Sequence, residues 1–128
     1  MTGLTEKAMN DPYAKYLGIG IEKIEKGYSL CSIVIRENML NFLGLVHGGL
    51  ILSLADVAFS VASNCDYSPS YALDISGSFL RTAKVGDTVT AEAKLVHTTR
   101  RTGLYRIDIS NKKDLVATFN GTVFRKVP

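Results

Sequence analysis

This 128-residue chain has no apolar run long enough to cross a bilayer. Its longest candidate, Leu50 to Ala62, is interrupted by Ser53, Asp56 and Ser60, and it falls short of the roughly 20 residues a spanning helix needs. The N-terminus, Met-Thr-Gly-Leu-Thr-Glu-Lys, lacks the apolar h-region of a secretory signal. Cysteine is scarce as well. Cys31 and Cys65 make neither a disulfide framework nor a zinc site with near-neighbour spacing. These absences imply a reduced, cytoplasmic setting and no membrane partner. The Asn120-Gly-Thr122 glycosylation acceptor is then a chance match. A strong charge of one sign is missing too. Fifteen Lys and Arg against twelve Asp and Glu leave a net +3. With no dense basic stripe, nucleic acid is excluded as a partner, while the mild excess suits an anionic substrate. Internal repeats, low-complexity tracts and linkers are absent.

What is present describes one globular domain over residues 1–128, with 46% hydrophobic and 21% charged residues. A domain this small gains from oligomerisation. Asp11-Pro12 reads as a helix cap followed by proline in the first turn, predicting a short helix to about Leu17 that Gly18 ends. Two strands follow, roughly Ile19–Lys26 and Tyr28–Arg36, joined at Gly27. From Gly48 to about Asn64 the chain predicts a helix whose apolar residues point nearly everywhere, so it is buried on most sides. Its polar exceptions, Gly49, Ser53, Asp56 and Ser60, recur at helical spacing in one narrow stripe.

After Pro69 the period becomes two. Tyr71, Leu73, Ile75, Gly77 and Phe79 form one such series. Others are Val89 to Leu95, Tyr105 to Ile109, and Leu115 to Val123. Turn signals at Val85-Gly-Asp87, Arg101-Thr-Gly103 and Asn111-Lys-Lys-Asp114 separate them. The connections are too short for helical crossovers, so these four strands should pair mainly as antiparallel neighbours. The class is α+β, an antiparallel sheet of about six strands curled around a central helix. Its edge strands favour pairing between two copies.

The chemistry concentrates in Asn41-Phe-Leu-Gly-Leu-Val-His47-Gly48-Gly49 and the lone acid Asp56. Two glycines opening a helix leave unpaired amides, reinforced by the helix dipole, and let a ligand carbonyl approach the backbone. A plain uncrowded turn explains the same two letters. Asp56 is a base or nucleophile, or a structural carboxylate bonded to a nearby helix end; carboxylates seldom sit within apolar helices unless paired or functional. His47 is a general base or a loop-fixing cap, and Asn41 a capping side chain or an amide aimed at the site. Geometry limits the combinations. Gly48 and Asp56 are eight residues apart, hence about 12 Å along one helix. One carbonyl cannot touch both, so cooperation requires two copies facing each other.

Asn-x5-His-Gly-Gly-x7-Asp, ahead of an apolar helix and the Ser78-Phe-Leu-Arg81 and Val85-Gly-Asp87 segments, resembles the hotdog-fold acyl-CoA thioesterases. The similarity is to the phenylacetic-acid-degradation type of the 4-hydroxybenzoyl-CoA thioesterase superfamily, and it spans about Leu17 to Phe124. The resemblance implies a hotdog fold and hydrolysis of an acyl-CoA thioester at a site shared between subunits. It implies that the Gly48 amide polarises the carbonyl and that Asp56 of the other chain activates water or attacks directly. Asn41 and His47 would orient the loop and the thioester. No metal or other cofactor is implied, coenzyme A being part of the substrate, and the assembly would be a homodimer or a dimer of dimers. Two departures stand out. The strand position that holds a water-positioning Ser or Thr in some members reads here as Ala72, with Ser76 or Ser60 as substitutes, and Thr82 replaces a common proline.

Arg81, Lys84, Arg100 and Arg101 are candidate partners for the coenzyme A phosphates, joined by backbone donors of the Arg101-Thr102-Gly103 turn. Solvated surface cations are the competing explanation. Gly49, Ser60 and Phe59, with Leu52 or Val57, are candidates to line the acyl seam. Two other functions remain: a non-catalytic acyl-CoA-binding hotdog module, against which the retained Asp56 argues, and a hydratase on the same fold, whose acid and His are usually spaced differently.

Overall fold

A computed structural model describes residues 3–65 and 68–126. A seven-residue helix, α1 (Gly3–Met9), lies outside the elements predicted above, being too short to display a helical period. In α2 (Pro12–Leu17) the Asp11 carboxylate accepts the Ala14 amide at 2.9 Å, proline occupies the first turn, and Gly18 at φ +82° ends the helix in the left-handed region. β1 (Gly20–Glu25) and β2 (Tyr28–Val34) form a hairpin. A 3-10 turn (Glu37–Met39) then leads to the central helix α3 (Gly48–Asn64), whose bounds are those predicted. Four strands complete the chain: β3 (Ser70–Phe79), β4 (Thr88–Thr98), β5 (Thr102–Asn111) and β6 (Asp114–Arg125).

Among the described residues, six strands form one antiparallel sheet in the order β1-β2-β4-β5-β6-β3. Here the structure corrects the sequence. β4, β5 and β6 do pair in succession, but β3 pairs with β6, and β4 takes its other partner from β2. Alternating hydrophobicity says which face a strand buries and nothing about which edge it joins. Residues 80–87 therefore carry the chain from one edge of the sheet to its middle.

The sheet wraps α3. Val89, Ala91, Ala93, Tyr105, Ile107 and Ile109 present a fully buried inner face to Leu54, Ala55 and Ala58. Phe59 is only 1% exposed and meets Tyr105 with ring centroids 5.7 Å apart. Gly121 makes the space, because a Cβ there would stand 2.6 Å from the Phe59 ring. Burying such a ring contributes about 1.5–3 kcal/mol. At the far end of α3, the guanidinium of Arg125, 3% exposed, donates to the Ser63 carbonyl, the Ser70 hydroxyl and the Tyr105 phenol, tying three elements together.

β3 is the exception to this burial. It is an edge strand, and Tyr71, Leu73 and Phe79 on it are exposed, as is Leu80 just after it. Its predicted apolar face is real but largely uncovered in one chain. Among the described residues no helix is long and apolar enough to cross a membrane.

Candidate functional site

The loop entering α3 is held by one side chain. Asn41 Oδ1 accepts the amides of Leu43 (2.9 Å) and Leu45 (3.1 Å), while its backbone amide donates to the Leu45 carbonyl at 2.7 Å. Gly44 at φ +78° makes the turn possible. Asn41 thus fixes the loop through its Oδ1, and it also lines the cavity at the start of α3. The loop delivers His47 in extended conformation to the N-cap of α3, where its Nδ1 accepts the Gly49 amide at 2.8 Å. In the neutral ring this places the proton on Nε2. The two glycines now separate in purpose. A Cβ on Gly49 would stand 3.0 Å from His47 Nδ1, so Gly49 makes room for the imidazole. At Gly48 a Cβ would meet only the Phe79 ring at 3.5 Å.

The accounting of first-turn amides leaves one over. Gly49 donates to the imidazole, and Leu50 and Ile51 both donate to the His47 carbonyl. Gly48 N–H has no acceptor among the described residues. It borders a cavity of about 360 Å³ lined by Asn41, Leu45, Ile51, Phe79, Leu80 and Arg81. An unpaired amide at the positive end of a 17-residue helix is suited to a carbonyl oxygen that gains charge.

Asp56 lies on the stripe the sequence identified. Gly49, Asp56 and Ser60 are exposed and Ser53 half-buried, with Leu52 at their side. The carboxylate borders a second cavity of about 400 Å³, between α3 and β3, whose walls include Leu52, Ala72, Leu73 and Ile75. Although water reaches the group in a single chain, the surrounding protein withdraws enough solvent to push its pKa above the usual aspartate value, and the Asp11 charge pushes it further. A carboxylate so perturbed is a better base wherever it is ionised.

Within one chain the Gly48 amide and Asp56 line different cavities, consistent with their separation along α3. Other expected site residues need correction. Phe59 and Val57 belong to the core and do not reach the surface. Two backbone donors of the Arg101-Thr102-Gly103 segment are spent on its own turn. Thr99 Oγ1 accepts the amides of Arg101 and Thr102 and pairs with the Thr102 hydroxyl at 2.7 Å. Gly103 is buried within β5, where a Cβ would crowd the Arg125 guanidinium at 2.5 Å. Its small size serves Arg125 rather than a phosphate. Ser60 donates to the Val57 carbonyl of its own helix.

The four candidate cations are all exposed but do not form one patch. Arg81 borders the Gly48 cavity and Lys84 follows it on the link to β4, whereas Arg100 and Arg101 sit on the β4–β5 turn, next to the end of β6. Ala72 does line the Asp56 cavity and offers no hydroxyl; Ser76 lies further along β3, opposite Asn120. Sequence reasoning missed two residues that line the Asp56 cavity, namely Tyr13 from α2 and Asp74 from β3. No short-range pattern connects Tyr13 to a helix some forty residues away.

The sequence profile of the thioesterase superfamily matches residues 43–118. The acyl-coenzyme A thioesterase PaaI of Escherichia coli K12 is 38% identical over 117 residues, covering 91% of this chain and 84% of that protein. The structure of the E. coli PaaI protein from the phenylacetic acid degradation operon superposes with a TM-score of 0.89 at 36% identity, over 98% of this chain and 97% of that one. A hypothetical thioesterase from Streptococcus pneumoniae TIGR4, solved with coenzyme A, gives a TM-score of 0.80 at 26% identity over 84% of this chain and 88% of its own.

Proposed function

Because this chain belongs to the thioesterase superfamily, we propose that it hydrolyses an acyl-coenzyme A thioester to the free acid and coenzyme A, at a site assembled from two copies of the chain. The observation that carries this reading is the Gly48 amide at the start of α3, which has no acceptor among the described residues. Such a donor stabilises an oxyanion more than the ground-state carbonyl, which is what accelerates acyl transfer.

Gly48 N–H of one subunit binds the thioester oxygen, and Asp56 of the other takes a proton from water as that water attacks the carbonyl carbon. The tetrahedral oxyanion collapses, the C–S bond breaks, and the coenzyme A sulfur leaves and takes up the proton. The reaction balances with water as its only co-reactant. The raised pKa of Asp56 supports the role of base. His47 and Asn41 position the donor: one caps Gly49, the other shapes the loop.

The distance along α3 calls for the second subunit. Pairing β3 with β3 of another copy would extend the sheet across the seam and cover Tyr71 and Leu73, the latter 61% exposed. It would also bring each Asp56 cavity, bounded by β3, to the boundary between copies. Arg81 beside the donor is the cation best placed to meet a coenzyme A phosphate. A reducing, cytoplasmic setting agrees with two buried cysteines that are not joined in a disulfide.

The test is a panel of short, long and aryl acyl-coenzyme A esters followed with a chromogenic thiol reagent. Catalytic release of free thiol is expected from at least one class. Saturable binding with no thiol from any ester would instead make the protein an acyl-coenzyme A sensor and end this reading.

A further inference from the structure

The Asp56 cavity has a neighbour. On the far side of Tyr13 lies a third cavity of about 330 Å³, lined by Tyr16, Leu17, Arg36, Met39, Leu40 and Leu50 among others. The two cavities share three lining residues: Tyr13, Gly49 and Ser53. Gly49 has no side chain to divide them. The side chains shared by the two cavities are therefore Tyr13 and Ser53, whose hydroxyl oxygens are 3.0 Å apart.

We propose that Tyr13, latched to Ser53, is the partition that limits the length of the acyl group beside Asp56, and that the cavity behind it is closed to the tail while the latch holds. This rests on the thioesterase reading only for the identity of the ligand. Ser53 stands three residues before Asp56 on the same helical stripe, so the latch lies about one helical turn from the carboxylate. Leu52, Leu73 and Ile75 give the near side an apolar lining for a tail, and Tyr13 is where that lining stops. The wall is braced from behind. Tyr16 stacks on Tyr13 with centroids 6.4 Å apart and planes inclined by 21°. α2 is fixed at its start by the Asp11 cap and at its end by Arg36, which donates to the Leu17 carbonyl at 2.9 Å. Beyond the wall, Met39, Leu40 and Leu50 offer more apolar surface.

A homologous series of S-(2-oxoalkyl)-coenzyme A thioethers, which bind but cannot be hydrolysed, tests the partition by calorimetry. In the wild type, affinity should climb with tail length and then level off. In Tyr13→Ala the climb should continue, by about fourfold for each further methylene that finds apolar contact. Tyr16→Ala alone should keep the wild-type cut-off, and in the Tyr13→Ala background it should weaken only the longest ligands. The same series as true thioesters should move its kcat/KM optimum to longer tails in Tyr13→Ala. An identical cut-off in wild type and Tyr13→Ala overturns the proposal. So does an equal loss at every length, which would make Tyr13 merely structural. Absence of thiol release from every ester would sink the thioesterase reading, whereas the thioether series reads the partition without any turnover.

Discussion

His47 Nδ1 accepts the Gly49 amide at 2.8 Å, and by satisfying that amide it leaves the adjacent Gly48 N–H as the donor without a partner among the described residues. The imidazole thus acts on the site indirectly. It fixes the first turn of α3, at the residue that borders the cavity.

Gly48→Pro isolates this role. Proline removes the N–H but suits the first position of a helix, and His47, at φ −67° and ψ 133°, already has the backbone that a residue before proline requires. The variant should fold with a melting temperature close to wild type and lose about 10²–10³-fold in kcat. Retained kcat would remove the amide from the mechanism.

Asp56→Asn should lose about 10²–10⁴-fold in kcat while keeping its fold by circular dichroism. Its stability carries a further signature. Since the folded state raises the Asp56 pKa, it favours the protonated acid, so the associated stabilisation is complete below the unfolded pKa and is lost as pH rises through the folded one. Asparagine should therefore melt slightly higher than wild type at neutral pH, and the difference should vanish in acid.

Mixing the two dead variants asks whether the site is shared. In a Gly48→Pro/Asp56→Asn mixed dimer, one of the two sites keeps both intact groups. Unfolding and refolding an equimolar mixture should restore about one quarter of wild-type activity, since half the dimers are mixed and each has one good site. If both groups acted within one chain, mixing would restore nothing.

The pH profile should report Asp11 as well as Asp56. The acid limb of kcat/KM should lie above the ordinary aspartate range, because loss of solvent and the Asp11 charge both disfavour the ionised base. Asp11→Asn keeps a side chain able to cap α2 through the Ala14 amide. It should move the acid limb to lower pH without restoring the ordinary value, since desolvation persists. An unmoved limb would dissociate Asp11 from the site.

Both cysteines should be silent in a thiol assay. Cys31 and Cys65 are buried, and loss of solvent pushes the Cys31 thiol up to about 11. The native protein should consume almost no thiol reagent, and the denatured protein two equivalents per chain.

Much of this was legible in the letters, unevenly. The period of the Gly48–Asn64 segment located α3 closely, with its end expected at about Asn64, because its apolar run is bounded by the two glycines and by Asn64. The Asp11-Pro12 cap located α2 for a similarly local reason. The stripe of Gly49, Ser53, Asp56 and Ser60 is the outward face of α3, as helical spacing requires. Non-local facts were illegible. Nothing in residues 70–79 declares that their partner is β6, and nothing in α2 announces that the Tyr13 hydroxyl meets Ser53. Phe59 and Gly103 were misjudged because residue type does not reveal which face a packed neighbour claims. The Phe59 ring goes inward where Gly121 gives way, and Gly103 lies beneath Arg125.

One helix sets the spacing between the two reacting groups. The eight positions from Gly48 to Asp56 are a ruler with a fixed pitch. A single residue inserted between them would advance the acid by only about 1.5 Å but swing it by about 100°, away from β3 and into packed hydrocarbon. Variation in this protein should therefore accumulate in the length of its loops, while the stretch between donor and acid can change its letters but not its count.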